Sequence, residues 1–115
     1  MPVELTDPED AKLLTLARAS RARAGTAEGA AIRDTDGRTY SSTNVDLPSL
    51  QLSALQVAVA MAISSGVKGL EAALVVTDRL GVTDADVAMV RDFAGGGVPL
   101  YRADAGGVVA DTVTT

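Results

Sequence analysis

The side chains of this chain that could do chemistry are carboxylates and hydroxyls. Asp78, Asp84 and Asp86 fall close together, and Ser53, Thr83 and Asp86 stand where two helices are predicted to begin. Three acids in one neighbourhood could offer oxygen ligands to a divalent cation. Hydroxyls gathered at two helix N-termini could instead receive an anion, because the unpaired N–H groups there point outward. The plain reading competes with both: Ser53, Thr83 and Asp86 serve as helix caps, and Asp84 and Asp86 are first-turn acids that complement the helix dipole. Asn44 and Asp46, at the end of a predicted strand, are of the residue types that hydrogen-bond the next turn.

The composition excludes several chemistries. The 115 residues contain neither Cys nor His, which removes the commonest zinc ligands, any disulfide framework and the commonest general base. The net charge of −5 comes with no basic run, so nucleic acid and anionic lipid surfaces are not expected partners. Tyr40, Phe93 and Tyr101 are the three aromatic residues, too few for a base-stacking platform. Gly95-Gly96-Gly97 is not a phosphate loop, since no Lys follows it. The N-terminal stretch is acidic and helical in pattern, unlike a secretion signal, and cytoplasmic residence is the expectation. One domain, residues 1–115, is expected from the length.

The elements that must position these residues are built around Leu50–Gly66, which reads as a central helix. Leu52, Leu55, Val59 and Ile63 share one face at about 3.6 residues per turn, and the opposite face is also apolar. A helix that is apolar all round needs more than one cover. Its apolar run is too short for a bilayer, which takes about 20 residues, so a second copy of the chain is the expected partner along this helix. Before it, Thr6 or Asp7 caps a first helix running to about Arg23, with Arg18, Arg21 and Arg23 at its solvated end. Gly25–Glu28 forms a turn, Gly29–Arg33 a strand, and Asp36-Gly37 a hairpin into a second strand that ends at Asn44-Val45-Asp46. After the central helix come a buried strand at Glu71–Thr77, a helix at Val82–Phe93 capped by Thr83, and strands at Val98–Ala103 and Gly107–Val113. The order α-β-β-α-β-α-β-β implies a five-stranded mixed sheet with helices on its faces.

This order and several short stretches resemble the small homo-oligomeric cytidine deaminases. Gly29-Ala30-Ala31-Ile32 matches their G-A-A-L strand, Asp36-Gly37 their hairpin, and Asn44-Val45-Asp46 their N-x-E with Asp in place of Glu. Ser53-Ala54-Leu55 falls where their C-A-E helix opening belongs, and Thr83-Asp84-Ala85-Asp86 takes the place of C-x-x-C. The resemblance spans about Leu13 to Asp104 and implies a three-layer α/β/α domain.

What the resemblance implies about chemistry lies in the departures from it. In that family, thiolates, or thiolates and a histidine, hold a zinc ion that activates water, while a Glu that is not a ligand shuttles protons. Here the ligand positions become Ser53, Thr83 and Asp86, and the Glu position becomes Leu55. The aromatic residue that packs on the nucleoside falls at Thr26, and the ribose contacts fall at Asn44 and Asp46. The expectation is a catalytically inactive, zinc-free member that self-associates through Leu50–Gly66 as a binding or scaffolding unit. The alternatives are a nucleoside or nucleotide binder using the vestigial cleft, or a residual hydrolase of the same kind. A protein partner is compatible with the first reading.

Overall fold

The computed structural model describes residues 2–115. Helix α1 (Pro8–Ala24) leads into strands β1 (Gly29–Asp34), β2 (Thr39–Thr43), β3 (Val45–Leu47) and β4 (Leu50–Leu52). Helix α2 (Ala54–Ser64), strand β5 (Leu70–Val76), helix α3 (Asp84–Ala94) and strands β6 (Pro99–Ala103) and β7 (Val109–Thr114) follow. Five strands form one mixed sheet in the order β2-β1-β5-β6-β7, with only β5 and β6 parallel.

Local chemistry explains where the elements start and stop. Asp7 caps α1 through Oδ1, which accepts the Glu9 N–H at 2.8 Å, and Pro8 occupies the first turn. Gly25 closes the helix with φ of 65°, the left-handed geometry that a glycine takes without a Cβ clash. The Asp-Gly turn between β1 and β2 is built on Asp34, whose carboxylate accepts the backbone N–H groups of Asp36 at 2.8 Å and Arg38 at 3.0 Å.

Strand alternation divides the core into two layers. Ala30 and Ile32 of β1 face α2 and α3, with Leu55, Val59, Ala73, Val90 and Leu100. Ala31 of β1 faces α1, with Leu13, Ala17, Leu74 and Val76. The result is the three-layer α/β/α arrangement with a five-stranded mixed sheet that the element order implies.

The Leu50–Gly66 stretch departs from expectation. It is not one helix: Leu50–Leu52 pairs antiparallel with Val45–Leu47 as a small separate hairpin, and α2 begins only at Ala54. Ser53 sets that boundary through a capping box, its Oγ accepting the Gln56 N–H at 3.1 Å while Gln56 Oε1 accepts the Ser53 N–H at 2.8 Å. The buried face of α2 is Ala54, Leu55, Ala58, Val59 and Ala62, whereas Ile63 is exposed and Leu52 lies half-buried in β4. The second strand accordingly ends at Thr43, and Asn44 joins it to the hairpin. Among the described residues no helix is long and apolar enough to cross a membrane.

Candidate functional site

The starts of α2 and α3 and the hairpin β3–β4 surround an open cavity of about 780 Å³. Ser53, Thr83 and Asp86 line it, as do Asn44 and Asp46 on the hairpin side. Five residues singled out by type and spacing, drawn from separate parts of the chain, therefore share one hollow. Leu55 does not join them. It is 1% exposed and packs in the core beneath the cavity, among the residues between α2 and the sheet.

Each of the three positions at the helix starts has a side-chain oxygen in a hydrogen bond. Ser53 Oγ donates to Asp86 Oδ1 at 2.8 Å, and Thr83 Oγ1 accepts the Asp86 N–H at 3.2 Å. Burial pushes the Asp86 carboxyl above its ordinary range, and the neighbouring Glu28 carboxylate adds to the push. Hydrogen bonds from Ser53 and Thr83 and the charge of Arg79 oppose this without cancelling it.

Glu28 is the residue that sequence reasoning missed. It sits in the turn before β1, is 6% exposed and lines the cavity. Its Oε1 accepts the Ala54 N–H at 3.2 Å, and its own N–H donates to Asn44 Oδ1 at 2.9 Å. Arg79 Nε stands 3.9 Å from Glu28 Oε2, so this exposed arginine borders the cavity. Gln56, also on the cavity wall, could have been found from the Ser53-x-x-Gln56 spacing. Nothing local in the sequence marks Glu28, because its burial depends on the approach of α2 from 26 residues away.

Asn44 and Asp46 divide between structural and open roles. Asn44 spends its carbonyl oxygen on Glu28, while Asp46 is exposed and accepts from Gln51 Nε2 across the hairpin at 3.4 Å. Thr26 hydrogen-bonds the Glu28 carbonyl at 3.0 Å and does not line the cavity. Asp78, Asp84 and Asp86 do not gather: among the described residues no group of three acids forms a set that could hold a metal ion.

The donor set at the helix starts does not fit zinc. Two neutral hydroxyls and one carboxylate replace the thiolate and imidazole ligands that zinc favours, and all three are already committed to helix caps and to each other.

A mixed sheet sandwiched by helices, with a cavity at two helix N-termini, makes this a three-layer α/β/α domain. A family model described as cytidine deaminase-like matches residues 6–107, and the chain belongs to that family. Among solved structures, the cytidine deaminase from Burkholderia pseudomallei is 19% identical with a TM-score of 0.71, covering 90% of this chain and 89% of that one. The cytidine deaminase from Mycobacterium leprae is 23% identical with a TM-score of 0.69, covering 92% and 94%. That from Mycobacterium tuberculosis is 23% identical with a TM-score of 0.70, covering 82% and 85%. At such identities the likeness to these structures is one of fold. No curated protein sequence gives a significant match.

Proposed function

We propose that this chain is a zinc-free, non-catalytic member of the cytidine deaminase-like family that acts as a self-associating binding unit. One observation carries the reading: Ser53, Thr83 and Asp86 meet at the helix starts, joined through Asp86 by hydrogen bonds, with no soft metal ligand among them. Losing both an activated water and its proton shuttle removes most of the stabilisation such a hydrolase must supply, commonly about 8 kcal/mol or more in total. Leu55, in the core, offers no proton carrier. Exposed Leu47, Leu50 and Ile63 in and beside the Leu50–Gly66 stretch support self-association. The test is incubation of the purified chain with cytidine and equimolar zinc, followed for uridine. No product above the protein-free control is expected, and enzyme-dependent turnover would overturn the reading.

The cavity favours a second reading, in which a nucleoside is held without being hydrolysed. A space of about 780 Å³ lies within the range of small-ligand sites, and Asn44 and Asp46 border it. Thermal-shift measurements with nucleosides should show stabilisation that is reduced in Asp46→Ala. Melting unchanged across the nucleosides would remove this reading. Sedimentation of the wild type and Ile63→Asp tests self-association separately, with a smaller species expected for the variant.

A further inference from the structure

The three positions that would surround an ion are linked directly to one another. Ser53 Oγ uses its proton on Asp86 Oδ1 at 2.8 Å and a lone pair on the Gln56 N–H at 3.1 Å. Asp86, 5% exposed, receives that proton donor from α2 while its own N–H is held by Thr83 at the start of α3. On the other side, Glu28 Oε1 holds the Ala54 N–H at 3.2 Å and the Glu28 N–H is held by Asn44 at 2.9 Å. An unbroken run of contacts therefore passes from Asn44 through Glu28, Ala54, Ser53 and Asp86 to Thr83, joining the end of β2, the approach to β1, and both helix starts.

We infer that the Ser53–Asp86 hydrogen bond fastens the start of α2 to the start of α3, so that this chain holds the floor of its cavity together without an ion. The spacing supports this. A tetrahedral zinc with ligands at about 2.0–2.3 Å keeps those ligands about 3.3–3.8 Å apart, whereas Ser53 Oγ and Asp86 Oδ1 are at 2.8 Å. The oxygens sit at the separation of a shared proton. Burial strengthens the link, since water competes poorly for a carboxylate that is almost wholly enclosed. The inference rests on the zinc-free reading above and adds to it what does the joining instead.

The test is a double-mutant cycle on the full chain in the presence of a chelator, using Ser53→Gly, Asp86→Ala and the pair. Glycine removes the hydroxyl while remaining an acceptable N-cap residue, so loss of the cap does not mask the result. The two singles together should exceed the double variant by about tenfold in the unfolding constant, the size of a hydrogen bond to a charged partner. Wild-type melting should be the same with chelator and with equimolar zinc, a measurement that needs no variant to fold. Additivity within about twofold, or a wild-type melting temperature that falls on chelation, would overturn the inference. Cytidine turnover would end the non-catalytic reading and leave the coupling intact, whereas additivity would end the bridge and leave that reading standing.

Discussion

Tyr101 of β6 donates its hydroxyl proton to Asp10 Oδ2 of α1 at 2.7 Å, joining residues 91 positions apart across the face of the sheet opposite the cavity. Asp10 also accepts from Arg33 Nη2 at 2.8 Å, and Arg33 Nε donates to Glu71 Oε1 at 2.9 Å. Arg33 and Asp10 are both buried, and Arg33 Nη1 is enclosed without a partner among the described residues. A charge pair of this kind destabilises strongly when half of it is removed. Asp10→Ala should lower stability by about 3–5 kcal/mol, and Asp10→Leu combined with Arg33→Met should recover most of that loss in urea denaturation.

The same contact governs behaviour in alkali. Burial, with the hydrogen bond to Asp10 second, pushes the Tyr101 hydroxyl from 10.0 up to about 12. The fold retains this proton where the unfolded chain releases it, so stability is lost as pH rises from 10.0 toward about 12. Ultraviolet titration of Tyr101→Phe should lack the higher phenolate transition, and its stability should fall less over that interval.

Asp34 behaves in the opposite sense. Burial alone would push its carboxyl up, yet hydrogen bonds from the Tyr40 hydroxyl and from the backbone of Arg38 and Asp36, with the Arg38 charge, hold it below the ordinary value. Its stabilising contribution is present above the unfolded-state pKa and is lost as pH falls through the depressed one. Asp34→Ala would leave two backbone N–H groups and a hydroxyl without their acceptor and should cost about 3 kcal/mol near neutral pH. Denaturation midpoints measured against pH should show a shallower acid limb for the variant.

Asp86 should be easier to accommodate when neutral. Its raised carboxyl means that the folded chain binds the proton more tightly than the unfolded chain, so stability increases as pH falls through that raised value. Asp86→Asn keeps an oxygen to accept from Ser53 and removes the buried charge. It should match or exceed wild-type stability at neutral pH and lose this rise on acidification, as read from urea midpoints over a pH series.

At Gly29 the backbone of β1 lies close against α1. A Cβ at this position would collide with the Ala17 carbonyl oxygen and stand 2.9 Å from Arg21 Cβ. Gly29→Ala should therefore cost about 1–3 kcal/mol by forcing the helix away from β1, a loss measurable by thermal or chemical denaturation.

Much of this architecture was legible because local signals agreed with tertiary demands. Asp7-Pro8 and Gly25 bracket α1, Asp36-Gly37 turns the hairpin, and Thr83 caps α3, each by chemistry that acts within a few residues. The hairpin β3–β4 was hidden because Leu50 and Leu52 continue the apolar pattern of α2, and composition alone does not separate a strand from a helix in so short a run. The Ser53-x-x-Gln56 box would have placed the break. For the site, the meeting of Ser53, Thr83 and Asp86 followed from the order of elements, while Glu28 and Arg79 depend on how three separate segments approach one another. The misplaced expectation for Ile63 has another source: at about 100° per residue it lies roughly 80° round the helix from Leu55, whereas Ala58, Val59 and Ala62 stay on the Leu55 side and are buried.

The seat of Leu55 limits what can replace it. A carboxylate introduced there would arrive in hydrocarbon, among Ala30, Val59 and Val90, without a charged partner in that cluster. Several of those neighbours would have to become polar together before residue 55 could carry a charge.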